Sequence, residues 1–211
     1  LVAFRIGDGS ICNPQSQYYS EFKFKVDIIM AKRTYSVDLN TPSFKQFNDG
    51  NNTWYSKKTS CGGTIGQEGC FLTSAAMIFK GFGDTVDPGS ITEALKKKNN
   101  ADCPFNWNTA ASEYSHTWHN KTNGSFNNVR SNLFDLIVTQ RVPVMVHVPN
   151  HMVVVKGFQG TLTTDIDGLP YYTDISASMF KVNDPGSSSN STLQDVINQK
   201  GSVDYITYYT K

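Results

Sequence analysis

The 211-residue chain balances 19 lysines and arginines against 18 aspartates and glutamates, for a formal net charge of +1. Charges of both signs are scattered along it, which gives no electrostatic case for a nucleic-acid partner or an anionic membrane surface. No window approaches the roughly 20 apolar residues that a membrane-spanning helix needs, so no membrane insertion is expected, and the length suffices for one sizeable core.

Nothing in the chain resembles a flexible interdomain linker. The expected organisation is a β-rich N-terminal extension over residues 1–40 followed by one domain over residues 41–211. The start, Leu-Val-Ala-Phe-Arg, lacks the long hydrophobic run of a signal peptide, and no initiator methionine precedes it. Leu1 is therefore expected to be a processed or trimmed N-terminus.

In chain order, the alternation of Phe22, Phe24, Val26 and Ile28, then Tyr35 and Val37, predicts a β-hairpin over residues 22–39 turned near Ala31-Lys32-Arg33. Leu72, Ala75, Ala76, Ile78 and Phe79 recur at helical spacing after Gly69-Cys70, and that helix stops at Gly81 and Gly83. A further helix is expected from Ser90, with Ser90 and Glu93 as a capping box and Lys96-Lys97-Lys98 complementing the dipole at its end. Residues 128–140 place Val129, Leu133, Leu136 and Ile137 on one helical face. Strands follow: Val142 to Val148 and Met152 to Phe158 flank a Pro149-Asn150 turn as a hairpin, and Tyr205 to Tyr209 closes the chain. Helices in one block and strands in another predict an α+β fold with an antiparallel sheet.

The chemistry-bearing residues sit at the ends of these elements. Cys70 stands at a helix start, where unpaired backbone N–H groups and the dipole favour a thiolate. Taken alone, it is equally a small buried residue closing a helix. His151 opens a strand and has the chemistry of a general base and acid, or of an ordinary turn histidine. His147, which shares a face with Pro143 and Met145, is taken as a packed or surface strand residue. Asp184, in Asn-Asp-Pro-Gly, is suited to hold the second imidazole N–H of His151, with Asn183 as the neighbouring candidate and a plain turn as the alternative.

The segment Phe44-Lys45-Gln46-Phe47-Asn48-Asp49, then Trp54, Gly63-Thr64-Ile65-Gly66, and Gly69-Cys70 with Thr73-Ser74-Ala75-Ala76-Met77, resembles the C39-like family of papain-fold cysteine peptidases. Asp87-Pro88 before the second helix, His151-Met152-Val153-Val154-Val155 and Asp184-Pro185 follow in the family's order, so the resemblance covers roughly residues 42–186. It implies a papain-like fold, with the nucleophile helix packed on an antiparallel sheet. It also implies a thiol hydrolase of peptide or related amide bonds, acting on a peptide or protein substrate without a cofactor. Cys70, His151 and Asp184 would form the triad, and Gln46 would donate to the developing oxyanion. Gln67, three residues before Cys70, is the rival for that last role. Where many relatives have Cys-Gly-Pro, this chain has Cys70-Phe71-Leu72. That departure supports the alternative, a catalytically inactive papain-like module acting as a binding or structural glycoprotein in an extracellular assembly.

Cys12, Cys61, Cys70 and Cys103 include no Cys-x-x-Cys pair and no histidine spacing suited to zinc, so no structural metal is expected. With Cys70 kept as a thiol, Cys61 and Cys103 are the preferred bridge and Cys12 is left free or linked to another molecule. The other arrangement is two bridges that consume Cys70. Four Asn-x-Ser/Thr sequons, at Asn51, Asn120, Asn123 and Asn190, are candidate N-glycan sites of a secreted or extracellular protein.

Overall fold

The computed structural model describes residues 30–211. Most of the expected N-terminal extension, Cys12 included, lies outside them. Among the described residues six strands form one sheet in the order β1-β4-β3-β6-β2, with β5 pairing on β4, and each of these pairings is antiparallel. They are β1 (Ala31–Asp38), β2 (Thr117–Asn123), β3 (Val144–Val148), β4 (His151–Thr164), β5 (Phe180–Asn183) and β6 (Tyr205–Thr210). The helices are α1 (Ile65–Glu68), α2 (Cys70–Gly81), α3 (Pro88–Lys96), α4 (Trp107–Glu113), α5 (Phe126–Phe134) and α6 (Leu193–Lys200). The architecture is α+β.

The sheet is covered on both faces, which explains why β3 and the first half of β4 are apolar without alternation. Met145, Met152, Val154 and Tyr209 pack with α2 on one face. Val144, Val146, Val153, Val155 and Phe158 pack with α5 and α6 on the other. Ala75 to Phe79 of α2 are fully buried. Small side chains let that helix lie close on β4, where the Ser74 hydroxyl donates to the Met152 carbonyl at 3.3 Å.

Three local expectations are corrected. The hairpin expected over residues 22–39 has no turn at Ala31-Lys32-Arg33, because β1 runs straight through those residues along β4 from Ala31↔Thr164 to Asp38↔Gly157. Its residues 22–29 lie outside the described part. The helical block expected up to Gln140 is broken by β2, a polar edge strand held by β6. Helix α3 begins at Pro88 and is capped by Asp87, whose carboxylate accepts from the Ser90 N–H at 2.8 Å while the Ser90 hydroxyl receives the Asp87 N–H. Ser90 is therefore the third residue of the cap and Glu93 has no part in it. Asp87→Ala is expected to lower stability by about 1 kcal/mol, read as a lower urea midpoint at unchanged slope. An unaltered midpoint would show that the cap carries no weight.

Candidate functional site

Three chain segments converge at one end of the sheet. The β3–β4 hairpin turns through Asn150 at a positive φ of 57°, so β4 starts with His151 opposite Val148. Beyond β5 the chain turns at Asp184, whose carboxylate lies 2.7 Å from His151 Nε2 and also accepts from the Gly186 N–H at 2.7 Å and the Asn190 amide at 2.8 Å. A side chain at residue 186 would put its Cβ 2.9 Å from His151 Cε1, so glycine is what lets this turn pass the ring. His151 and Asp184 are both buried, at 6% and 1% exposure. Burial alone would depress the imidazole, but Asp184, and Cys70 on its other side, outweigh it and push its pKa up to about 9. Asp184 is held below the usual carboxylate range: burial opposes this, and the bonds from His151, Asn190 and Gly186 overcome it.

Cys70 is the first residue of α2 and is buried as a free cysteine. It lies beside the imidazole, and its side-chain hydrogen bond and charge help raise the His151 pKa. Gly69, just before it, is where the chain passes from α1 to α2. A Cβ there would meet the Ile65 carbonyl at 2.5 Å.

The segment around Gln46 clamps the Asp184 turn. The Gln46 N–H donates to the Pro185 carbonyl at 2.9 Å, and the half-buried Lys45 ammonium donates to the carbonyls of Asp184 and Ser187 at 2.7 and 2.6 Å. Burial lowers the Lys45 pKa despite the neighbouring Asp184. The Gln46 amide nitrogen is anchored on the Gly66 carbonyl at 3.2 Å, and its oxygen is buried without a partner. Gln67 is exposed, and its side-chain oxygen accepts from the Thr64 N–H at 3.0 Å, which places it in the cap of α1. Asn183 donates to the carbonyls of Thr41 and Pro42, at 2.7 and 3.0 Å, so it ties the incoming chain to β5.

His147 stands at the same end of the sheet. Its ring stacks on Tyr205 at 4.6 Å and lies 5.7 Å from Phe71, while its Nδ1 is 2.9 Å from Asp204. Burial lowers its pKa against the opposing pull of Asp204. The clue was present in the sequence, since His147 shares a strand face with Met145, which packs toward α2.

Beside Phe71 opens a crevice of about 350 Å³, lined by Phe71, Phe105, Trp107, Tyr205, Lys121 and Cys103 among others. Its aromatic rings brace one another: Phe105 meets Trp107 edge-on at 5.0 Å, and Trp107 stacks on Trp118 at 5.8 Å. The Lys121 ammonium sits 4.3 Å from the Tyr205 ring centre. Cys103 is bridged to Cys61, with Cα atoms 5.5 Å apart, so a disulfide backs this wall. Glu68 lies near both sulfurs, but bonded sulfurs have no thiolate to offer a cation. A larger surface groove of about 790 Å³ along β1 and residues 134–141 is lined by none of Cys70, His151 or Asp184.

The profile of the Peptidase_C39 like family matches residues 39–210. The chain belongs to that family. Among solved structures, a crystal structure described as a C39-like peptidase from Bacillus anthracis is 12% identical, with 83% of this chain and 98% of that chain covered at a TM-score of 0.43. No curated protein matches the chain.

Membership of the C39-like family does not make this chain a thiol hydrolase, and that expectation is corrected. The disulfide removes Cys61 and Cys103 from thiol chemistry. Among the described residues Cys70 is the cysteine left as a thiol, and it is enclosed at 8% exposure. The amide expected to serve an oxyanion is tethered to Gly66. Among the described residues the cysteines supply a structural bridge and one enclosed thiol, so the expected cysteine peptidase or amidase activity falls, and with it the terms hydrolase and thiol protease. The alternative of a papain-like module with a binding or structural role agrees better with this arrangement.

Proposed function

We propose that the chain is a papain-like module, α2 packed on the antiparallel sheet, that binds a protein partner in an extracellular assembly and leaves it uncut. The observation that carries this is the aromatic crevice beside Phe71, backed by the Cys61–Cys103 bridge. A pocket of that size, walled by braced rings and topped by one ammonium group, suits a large apolar or aromatic side chain of an extended peptide. In many relatives a glycine follows the cysteine. Here Phe71 fills that space and builds the pocket wall, in edge contact with Trp107 at 5.7 Å.

In this proposal Cys70, His151 and Asp184 act as an internal tie. The charged pair joins the start of β4 to the turn after β5, and the thiol seals its open side. The module is secreted, with residues 1–40 as its N-terminal extension. Asn51, Asn120 and Asn123 are exposed and suit N-glycans. Asn190 does not, because its side-chain nitrogen donates to Asp184 and Gln199, at 2.8 and 3.1 Å, and a glycan on that atom would disrupt both bonds.

The test is titration of a panel of extended peptides carrying a single Phe, Trp or Leu, read by the Trp107 indole resonance and by the intact mass of the recovered peptide. Peptides with an aromatic anchor are expected to bind and return uncut. Trp107→Ala should weaken them about tenfold or more, and Cys70→Ser should leave them unchanged. Cleavage by the native chain that disappears in Cys70→Ser would overturn the proposal, as would an indole resonance that no peptide moves.

A further inference from the structure

Among the described residues β2 is an edge strand, and its last residue, Asn123, is paired across the ladder with Tyr205 of β6. Directly opposed residues of an antiparallel pair point to the same face, with Cβ atoms about 4.5–5.5 Å apart. That face holds the aromatic crevice. Tyr205 lines it, and Lys121, next but one before Asn123, places its ammonium 4.3 Å from the Tyr205 ring and 5.7 Å from Trp107. Asn123 is thus at the crevice rim.

Asn123 also opens the sequon Asn123-Gly124-Ser125. Asn123 and Ser125 are exposed, and Ser125, although it stands at the cap position of α5, makes no capping bond through its hydroxyl. Gly124 has a φ of 144°, and a Cβ there would fall 2.8 Å from Asn128 Cβ, so this turn needs glycine as the middle residue of the sequon. The other sequons differ in placement. Asn190 has its amide engaged within the protein, Asn51 follows the Gln46 segment, and Asn120 sits in the irregularity between His119 and Thr122.

We propose that an N-linked glycan on Asn123 stands over the aromatic crevice and controls access to it; this rests on the secreted binding module argued above. Transfer from a lipid-linked diphosphate oligosaccharide forms the bond between Asn123 Nδ2 and sugar C1 and breaks the C1–oxygen bond to the diphosphate. Lipid diphosphate leaves, together with one amide proton. The first N-acetylglucosamine then has an apolar ring face to lay against Tyr205 and hydroxyls to meet Lys121. Partner binding competes with that contact, so the occupied chain is the closed form.

The experiment uses the full chain secreted from a eukaryotic host. Glycopeptide mass spectrometry reads occupancy, amine acylation mapped to the crevice-lining Lys121 reads access, and a Phe-anchored peptide reads binding. Asn123 is expected to be occupied. Asn123→Gln and Ser125→Ala, which remove the sequon in two ways, should each raise the labelling rate and the peptide affinity about fivefold. Asn51→Gln should change neither. An unmodified Asn123 in the secreted chain overturns the proposal, and so does an occupied Asn123 whose removal leaves Lys121 labelling unaltered. A peptide that fails on every form removes the binding function instead, while the labelling rates still decide whether the glycan covers the crevice.

Discussion

Replacing Cys61 and Cys103 together by serine is expected to lower stability by about 2–4 kcal/mol. The bridge closes a loop across a sequence separation of 42 residues that contains α1, α2 and α3, so opening it releases a long segment of the unfolded chain. The native state loses less locally. Asp102 is held independently, with its carboxylate accepting from the Ser60 N–H at 2.9 Å and from the Ser60 hydroxyl at 2.5 Å. The fold should therefore survive in weakened form, and urea unfolding of the double variant should show a lower midpoint. The loss should also appear at the crevice, because Cys103 and its neighbours Pro104 and Phe105 form part of the wall. Reduction of the native chain should reproduce the variant. A double variant as stable as the native chain would show that the bridge constrains nothing the fold does not already fix.

What the sequence made legible follows from local physics. The valine runs on either side of Pro149-Asn150 allow little besides paired strands, and the apolar spacing from Leu72 to Phe79 allows little besides a helix. Both stand where expected. The Cys61–Cys103 bridge was the preferred one because both residues fall in loops around the first helices. Other features were not legible because their causes are tertiary. Strand β2 reads Thr-Trp-His-Asn-Lys-Thr-Asn, which has no alternating apolar face of its own; it is a strand because β6 offers an edge and because Trp118 reaches Thr207 at 2.8 Å. Residues 135–139 continue α5 as a wider π-type turn, a change of winding that the even apolar pattern does not encode.

At the candidate site, local signals ordered the residues without describing their surroundings. Cys70, His151 and Asp184 each mark the start or end of an element, and such positions can be read from turns and caps. Gln46 is different. Its backbone N–H is held by the Pro185 carbonyl and its side-chain amide by the Gly66 carbonyl, far along the chain in one case and across a loop in the other. The role of His147 depends on Tyr205 and Phe71 arriving at its ring from other elements. Phe71 was the sequence feature with the largest consequence, since its ring forms part of the crevice wall.

Asp184→Ala is expected to lower stability at neutral pH by about 3–5 kcal/mol, because it strands a buried imidazolium. The native pair has a definite pH signature. His151 is raised from an ordinary value near 6.5 to about 9, so its contribution is complete below pH 6.5 and is lost as pH rises through 9. Asp184 is lowered from 3.8, so its contribution is complete above that value and is lost as pH falls through its folded pKa. Both are fully present only between about pH 4 and 6.5, and the His151 part of the decline on the alkaline side should amount to about 3 kcal/mol. Asp184→Asn keeps the shape but removes the charge. Burial then acts on His151 with only Cys70 opposing it, and the ring should titrate below its native midpoint by more than a unit, read from its Cε1–H resonance. Stability of that variant should lose the alkaline decline above pH 6.5 in urea unfolding at a series of pH values. Cys70→Ser is the control: it removes the sulfur's share of the shift and should leave most of the elevation in place. A His151 midpoint that is the same in Asp184→Asn as in the native chain would mean that the carboxylate does not hold the proton, and the internal tie would lose its physical basis.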